Sequence, residues 1–167
     1  AVNIYANNLR LSATGGDIGA LGASANAVDT EVLTLAASTV TSGSINLLDA
    51  SDVTIGSVAA LTVQRVAADA TTSAQVDSAA LAGLTTATNG SLVAQTKTGT
   101  LTVTHALQAN GSGHVLLQAV TGALSLQSSL QAGSGDVSLI AFTNMTVGAA
   151  DNGNADITTT GTLDLQA

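Results

Sequence analysis

Three residues able to hold a cation, His114, Asp136 and Asp156, fall at corresponding points of a repeating sequence. Stacked as coils, they would form one outward column at steps of about 4.8 Å, the spacing of hydrogen-bonded strands. Carboxylates that close repel one another, and a bound Ca²⁺ would relieve the repulsion. Solvent and turn amides relieve it too. Asp at the entry to a strand already has a reason to be there, because it hydrogen-bonds nearby backbone. Asp17-Ile18, Asp52-Val53, Asp136-Val137 and Asp156-Ile157 all have that placement. The glycine- and aspartate-rich nonapeptide of calcium-dependent β-rolls is absent, so no metal site is assigned. His105 has no partner in the pattern.

The other chemistries are thinner. Polysaccharide-cleaving β-helices gather Asp, Arg and Lys on one face. Here Arg10, Arg65 and Lys97 are far apart and sit at unmatched repeat positions, so no catalytic or cofactor residue is assigned and no basic patch is expected. Threonine is abundant (Thr100, Thr102, Thr104 and Thr158, Thr159, Thr160). An ice-binding face needs it in the same outward column on successive coils. The column through Thr102 is expected to read Thr102, Ser125, Thr146, Asp164, and that through Thr104 to read Thr104, Gln127, Gly148, Gln166, which is a mixed surface. Asn89-Gly90-Ser91, Asn110-Gly111-Ser112 and Asn144-Met145-Thr146 match the N-x-[ST] pattern. With ten Asn and so much Ser and Thr, chance accounts for that count.

The elements that would position these residues come from the repeat itself. Residues 90–109 (GSLVAQTKTGTLTVTHALQA) echo 113–132 (GHVLLQAVTGALSLQSSLQA) at a shift of 23, and a third copy starts at Leu130. Self-similarity at such a period marks a solenoid. Large aliphatics flanking one polar residue (Leu33/Leu35, Ile45/Leu47, Val53/Ile55, Leu61/Val63) give the strand period of two. Two core ladders follow. One column reads Leu92, Val115, Val137, Ile157. The other reads Leu101, Leu124, Met145, Leu163, with partners Val103, Leu126, Val147, Leu165. Their spacing is expected to shrink from 23 to about 20 residues. The fold predicted is all-β, a right-handed parallel β-helix: a single-stranded β-solenoid of about 7–8 coils of 20–23 residues, roughly 35–40 Å long.

Composition agrees. Aromatics are 1% of a chain that is 46% hydrophobic, so its core must be thin enough for Leu, Val, Ile and Ala to fill by stacking. Proline is absent, as suits strands paired on both sides. A net charge of −8, with Lys+Arg 3 against Asp+Glu 11, argues against nucleic acid and anionic membrane surfaces. No apolar run approaches a membrane span of about 20 residues, so no membrane insertion is expected. The absence of cysteine excludes disulfide frameworks and thiolate metal sites.

The 167 residues are read as one domain, with two weakly patterned stretches. Residues 12–30 offer only Ile18 and Leu21 as sizeable core candidates. Residues 64–90 lose the rhythm: Ala74–Leu84 could form a short helix with Val76, Ala80 and Leu84 on one face, or the segment could be an irregular coil with a lateral loop. The loop is the preferred reading.

The units Gly135-Asp136-Val137-Ser138-Leu139-Ile140-Ala141, Asn144-Met145-Thr146-Val147 and Gly161-Thr162-Leu163-Asp164-Leu165-Gln166-Ala167 resemble the repeats of filamentous-haemagglutinin-type exoproteins, the large bacterial adhesins exported by two-partner secretion. The resemblance covers residues 31–63 and 90–167. It implies a long right-handed β-helical rod at the bacterial cell surface, extracellular and without cysteine. The Asn-Pro-Asn-Gly type motif of that family's secretion domain is absent, so the likeness is to shaft. The function expected is a non-catalytic structural module of a surface adhesin or fibre. Leu163 to Ala167 read as a core strand without a polar cap, so further coils of the same protein, or neighbouring copies stacked end to end, are the expected partners. A host-cell or matrix glycan or protein receptor is a further candidate, engaged through 12–30 or 64–90, because loops carry recognition where a repetitive shaft does not. The alternative is a carbohydrate-binding or carbohydrate-active β-helix, with ice binding third.

Overall fold

The computed structural model describes residues 1–22, 25–76, 79–148 and 155–167. Among them there is no helix, and the chain winds as a parallel β-solenoid of about 7 turns. Each regular coil has three short strands, which we call faces A, B and C. Every strand lies parallel to its counterpart one coil away and in register with it, so a side chain buried in one coil rests on a buried side chain in the next.

Face A stacks Ile45–Asp49, Leu92–Thr96, Val115–Ala119, Val137–Ala141 and Leu163–Gln166. Its inward ladders read Ile45, Leu92, Val115, Val137, Leu163 and Leu47, Ala94, Leu117, Leu139, Leu165. Face B stacks Val53–Ile55, Leu101–Val103, Leu124–Leu126 and Met145–Val147. Face C stacks Leu84–Thr86, Leu107–Ala109, Leu130–Gln131 and Ile157–Thr158. In coils one and two a single long strand serves all three faces: Ile4–Ala13 lies along Val28–Thr39, which in turn pairs with Ile45–Asp49, Val53–Ile55 and Leu84–Thr86. The strands read inward–outward–inward because the pleat alternates, and the buried set is almost entirely aliphatic.

The predicted ladders hold through the middle coils and fail in the last. Leu163 lies on Val137 and Leu165 on Leu139, both on face A. Ile157 lies on Leu130, on face C. The predicted columns had put Ile157 on Val137, Leu163 on Met145 and Leu165 on Val147. The error is one of spacing. Val115 follows Leu92 by 23 residues and Val137 follows Val115 by 22, but Leu163 follows Val137 by 26, so the repeat lengthens where it was expected to shrink. Nor are all the ladder residues buried. Leu163, Leu165 and Val147 are 44%, 49% and 42% exposed, no further coil lying over them among the described residues. Met145 and Ile157 are half-buried against the core.

Two of the aliphatic pairs also divide differently. Leu33 is 65% exposed while Val32 and Leu35 point inward, because the long strand turns the corner from face A to face B between them. Leu61 and Val63 leave the solenoid altogether. They belong to an excursion from coil three in which Thr62–Val66 pairs antiparallel with Thr72–Val76. Among the described residues of 64–90 there is no helix, and the excursion is an ordered hairpin. Its base is a two-residue antiparallel pair, Ser57–Val58 with Leu81–Ala82, closed by the Gly83 amide donating to the Gly56 carbonyl at 2.9 Å. The earlier weak stretch interrupts face A of coil two. Ile18 starts that strand beneath Ile45, and after an interruption, in which Ala20 bridges Asn26 antiparallel, Val28–Thr30 finish it beneath Leu47–Asp49. Ile18 is buried; Leu21 is exposed.

Candidate functional site

The corner that enters face A repeats one device six times: Gly16-Asp17-Ile18, Gly43-Ser44-Ile45, Gly90-Ser91-Leu92, Gly113-His114-Val115, Gly135-Asp136-Val137 and Gly161-Thr162-Leu163. Successive coils come so close there that a Cβ on Gly43, Gly90, Gly113 or Gly135 would overlap the carbonyl oxygen of the corner glycine one coil earlier. Only glycine fits.

The residue after each glycine caps the next coil. The Ser44 amide donates to Asp17 Oδ1 (2.7 Å), Ser91 N to Ser44 Oγ (3.1 Å) and His114 N to Ser91 Oγ (3.1 Å). Asp136 N donates to His114 Nδ1 (2.9 Å), and Thr162 N to Asp136 Oδ1 (2.7 Å). A corner amide cannot join the sheet ladder, so each side chain supplies an acceptor that the backbone lacks.

This is where the structure places the cation candidates. His114 and Asp136 are consecutive in the corner column, with His114 Nδ1 3.5 Å from Asp136 Oδ2. Asp156 is elsewhere: its carbonyl accepts from Leu130 N at the entry to face C. The longer last coil accounts for the displacement. Both members of the remaining pair are occupied as acceptors of backbone N–H groups, and Thr162 N–H holds the Asp136 carboxyl below the usual range, the nearby imidazole adding to this. Among the described residues no group of three or more His, Cys, Asp or Glu could hold a metal. His105 Nδ1 lies 3.2 Å from Thr104 Oγ1.

Asp49 behaves oppositely. Its carboxyl is buried at the end of face A, where Thr30 Oγ1 and Val32 N donate to Oδ2 (2.6 and 3.1 Å) and Ser51 N to Oδ1 (3.1 Å). Burial pushes its pKa up in spite of these three donors, and neighbouring Glu31 adds to the rise.

The hydroxyl column on face B is purer than its sequence reading. Thr34, Thr54, Thr102, Ser125 and Thr146 stack in register, with Asn8 beyond Thr34. Asp164 pairs with Ser138 and Gln166 with Ile140, both on face A, so neither belongs to the face-B columns. The column is one residue wide; beside it stand Gly56, Thr104, Gln127 and Gly148.

Of the three sequons, Asn89 Oδ1 accepts from Ser112 N (3.0 Å), and Asn110 Nδ2 donates to the Thr86 carbonyl (2.6 Å). Asn144 is exposed at the entry to face B.

The cations are distributed otherwise than the sequence suggests. Lys97 pairs with Asp29 along face A at 3.6 Å. Arg10 and Arg65, 55 positions apart, line the same groove, of about 390 Å³, between the first strand and the hairpin. Asn8, Leu9 and Ser12 complete one wall, and Leu61, Val63 and Gln75 the other. The sequence expectation was that Arg10, Arg65 and Lys97 form no basic patch; that Arg10 and Arg65 line one groove follows from hairpin pairing and fold-back, which are invisible to a comparison of repeat positions. Cross-strand register puts Val63 opposite Gln75 and Arg65 opposite Ser73, so one hairpin face presents Val63, Arg65 and Gln75 while Gln64, Val66, Ala74 and Val76 take the other. Arg10 Nη1 donates to the Ala79 carbonyl at 2.8 Å, tying the first coil to the returning arm of the excursion.

The solenoid, its capped corner and its hairpin excursion define the class, a parallel β-solenoid of stacked three-strand coils. Comparison with protein families, curated proteins and solved structures finds no match to this chain.

Proposed function

We propose that this protein is a non-catalytic structural module, a stiff β-helical shaft of an extracellular bacterial surface adhesin or fibre. The observation that carries the reading is the unbroken register of coils three to six. Three inward aliphatic ladders, a glycine column and a ladder of corner caps all keep the same coil-to-coil step. Bending such a stack would open several ladders at once, so the geometry resists flexure. The exposed apolar side chains of Leu163, Leu165 and Val147 offer the last coil as a seat for a further coil or a neighbouring copy.

Negative-stain imaging with light scattering tests this. A shaft module gives stiff rods, and concentration-dependent end-to-end growth that Leu163→Lys together with Leu165→Lys abolishes. Compact monomers at every concentration would remove the end-stacking element, and hydrolysis of a polysaccharide panel would remove the non-catalytic one.

A further inference from the structure

We infer that His114 is a pH-responsive cap, whose protonation unlatches the corner between its own coil and the coil that Asp136 begins. This goes beyond the shaft reading and does not rest on it.

Asp17, Ser44, Ser91, His114 and Asp136 each accept the corner amide of the next coil. All but His114 accept through a hydroxyl or carboxyl oxygen, which keeps a lone pair in either protonation state. His114 accepts through Nδ1, 2.9 Å from the Asp136 amide nitrogen. A ring nitrogen has a single lone pair to offer, so this bond requires a neutral imidazole with its proton on Nε2. Protonation puts a second N–H on the ring and sets two donors face to face. Imidazole is the side chain that changes charge between about pH 5 and 8, a range through which the other caps go on accepting.

The same nitrogen has an alternative partner. Asp136 Oδ2 lies 3.5 Å from His114 Nδ1. The other carboxylate oxygen, Oδ1, accepts from Thr162 N at 2.7 Å, and that bond holds the carboxyl below the usual range, so it stays charged while the imidazole titrates. Protonation therefore trades a backbone bond for a side-chain pair: Nδ1–H turns to Oδ2, and the Asp136 amide is released. Both side chains are more than half exposed, so the proton arrives from solvent without any opening of the core.

Among the described residues no further charge in the column adjoins the imidazole. On the coil before stands Ser91, and before it Ser44; beyond Asp136 stands Thr162. Asp17 is three coils from His114, and Asp156 is at the entry to face C.

The test is nitrogen-15 NMR of the whole chain between pH 8 and pH 5. It follows the His114 ring nitrogens and the protection factors of the corner amides, each corrected for intrinsic exchange at that pH. The Nε2–H tautomer is expected at pH 8. Protection of the Asp136 amide should fall about tenfold, with the midpoint of the ring titration, as one hydrogen bond is lost. The amides of Ser91 and His114, held by serine hydroxyls, should not follow. His114→Ser installs the cap found at positions 44 and 91, so the Asp136 amide should stay protected throughout. His105→Gln removes the other imidazole and should leave the response intact. An Nδ1–H tautomer at pH 8 overturns the inference, as does Asp136 protection that stays constant through the His114 titration. A response that survives His114→Ser, or is lost with His105→Gln, overturns it too. The tautomer and protection are read on the unaltered chain and decide the matter even should a variant fail to fold.

Discussion

Residues 92–141 and the hairpin at 62–76 are both β-structure made from similar residues, yet they obey different rules. In the shaft each strand has a neighbour on both sides, alternate side chains are buried, and each coil repeats the contacts of the last. In the hairpin each strand has one neighbour, no residue is buried, and the pairing is antiparallel. Repetition produces rigidity and a surface with no distinguished place. Interrupting it at the hairpin adds a groove between the first strand and the excursion. The difference between the two is burial, and substitutions should report it in order of size.

The largest effect belongs to the shaft core. Leu117→Ala, fully buried among Ala94, Leu139 and the other inward side chains, should cost about 2–5 kcal/mol in urea unfolding, whereas Val63→Ala in the hairpin should cost less than about 0.5 kcal/mol. Equal costs would mean that the hairpin is part of the core. Next comes Gly113→Ala, whose new methyl meets the Gly90 carbonyl; overpacking of this kind costs about 1–3 kcal/mol. Ser91→Ala removes one corner cap and should cost about 1 kcal/mol.

The smallest effects concern pH and have opposite signs. Asp136 has a lowered pKa, so its contribution is present above the unfolded value of 3.8 and is lost as pH falls through the folded value. Asp136→Ala should therefore flatten the acid limb of the stability curve. Asp49 has a raised pKa, so the folded state holds its proton more tightly, and stability from this group declines as pH rises above 3.8. Asp49→Ala should remove that decline. A wild-type profile unchanged by either substitution would contradict both assignments. Asp49→Ala also strips Thr30 Oγ1, Val32 N and Ser51 N of their acceptor and lowers stability at every pH, so the slope of the profile and not its height is the readout.

Much of the shaft could be read in advance because its periodicity is written in large aliphatics. The fold class, the parallel stacking and the ladders of the middle coils follow from Leu92, Val115, Leu101 and Leu124 recurring at one step. The third ladder, Leu84, Leu107, Leu130, Ile157, was present in the Leu-Gln-Ala echo but was not recognised as a separate face. The register of the last coil was also available. Gly161-Thr162-Leu163 carries the same corner triplet as Gly135-Asp136-Val137, and a count of glycines would have placed it where aliphatic spacing misplaced Ile157. Glycine marks the corner more reliably than the strand residues do, because close approach of coils admits nothing else while many aliphatics fill a core. The groove was illegible for a different reason. It depends on Arg10 meeting Ala79 and on hairpin register, contacts between segments with no repeat in common.

The corner caps run one way. Every acceptor side chain serves the amide of the following coil, never the preceding one. Damage in such a column is therefore felt downstream. Truncating Ser91 leaves its own amide held by Ser44 Oγ and frees that of His114. Amide exchange should quicken at His114 and not at Ser91, so a symmetrical-looking rod carries a built-in sense of direction that a single exchange experiment can read.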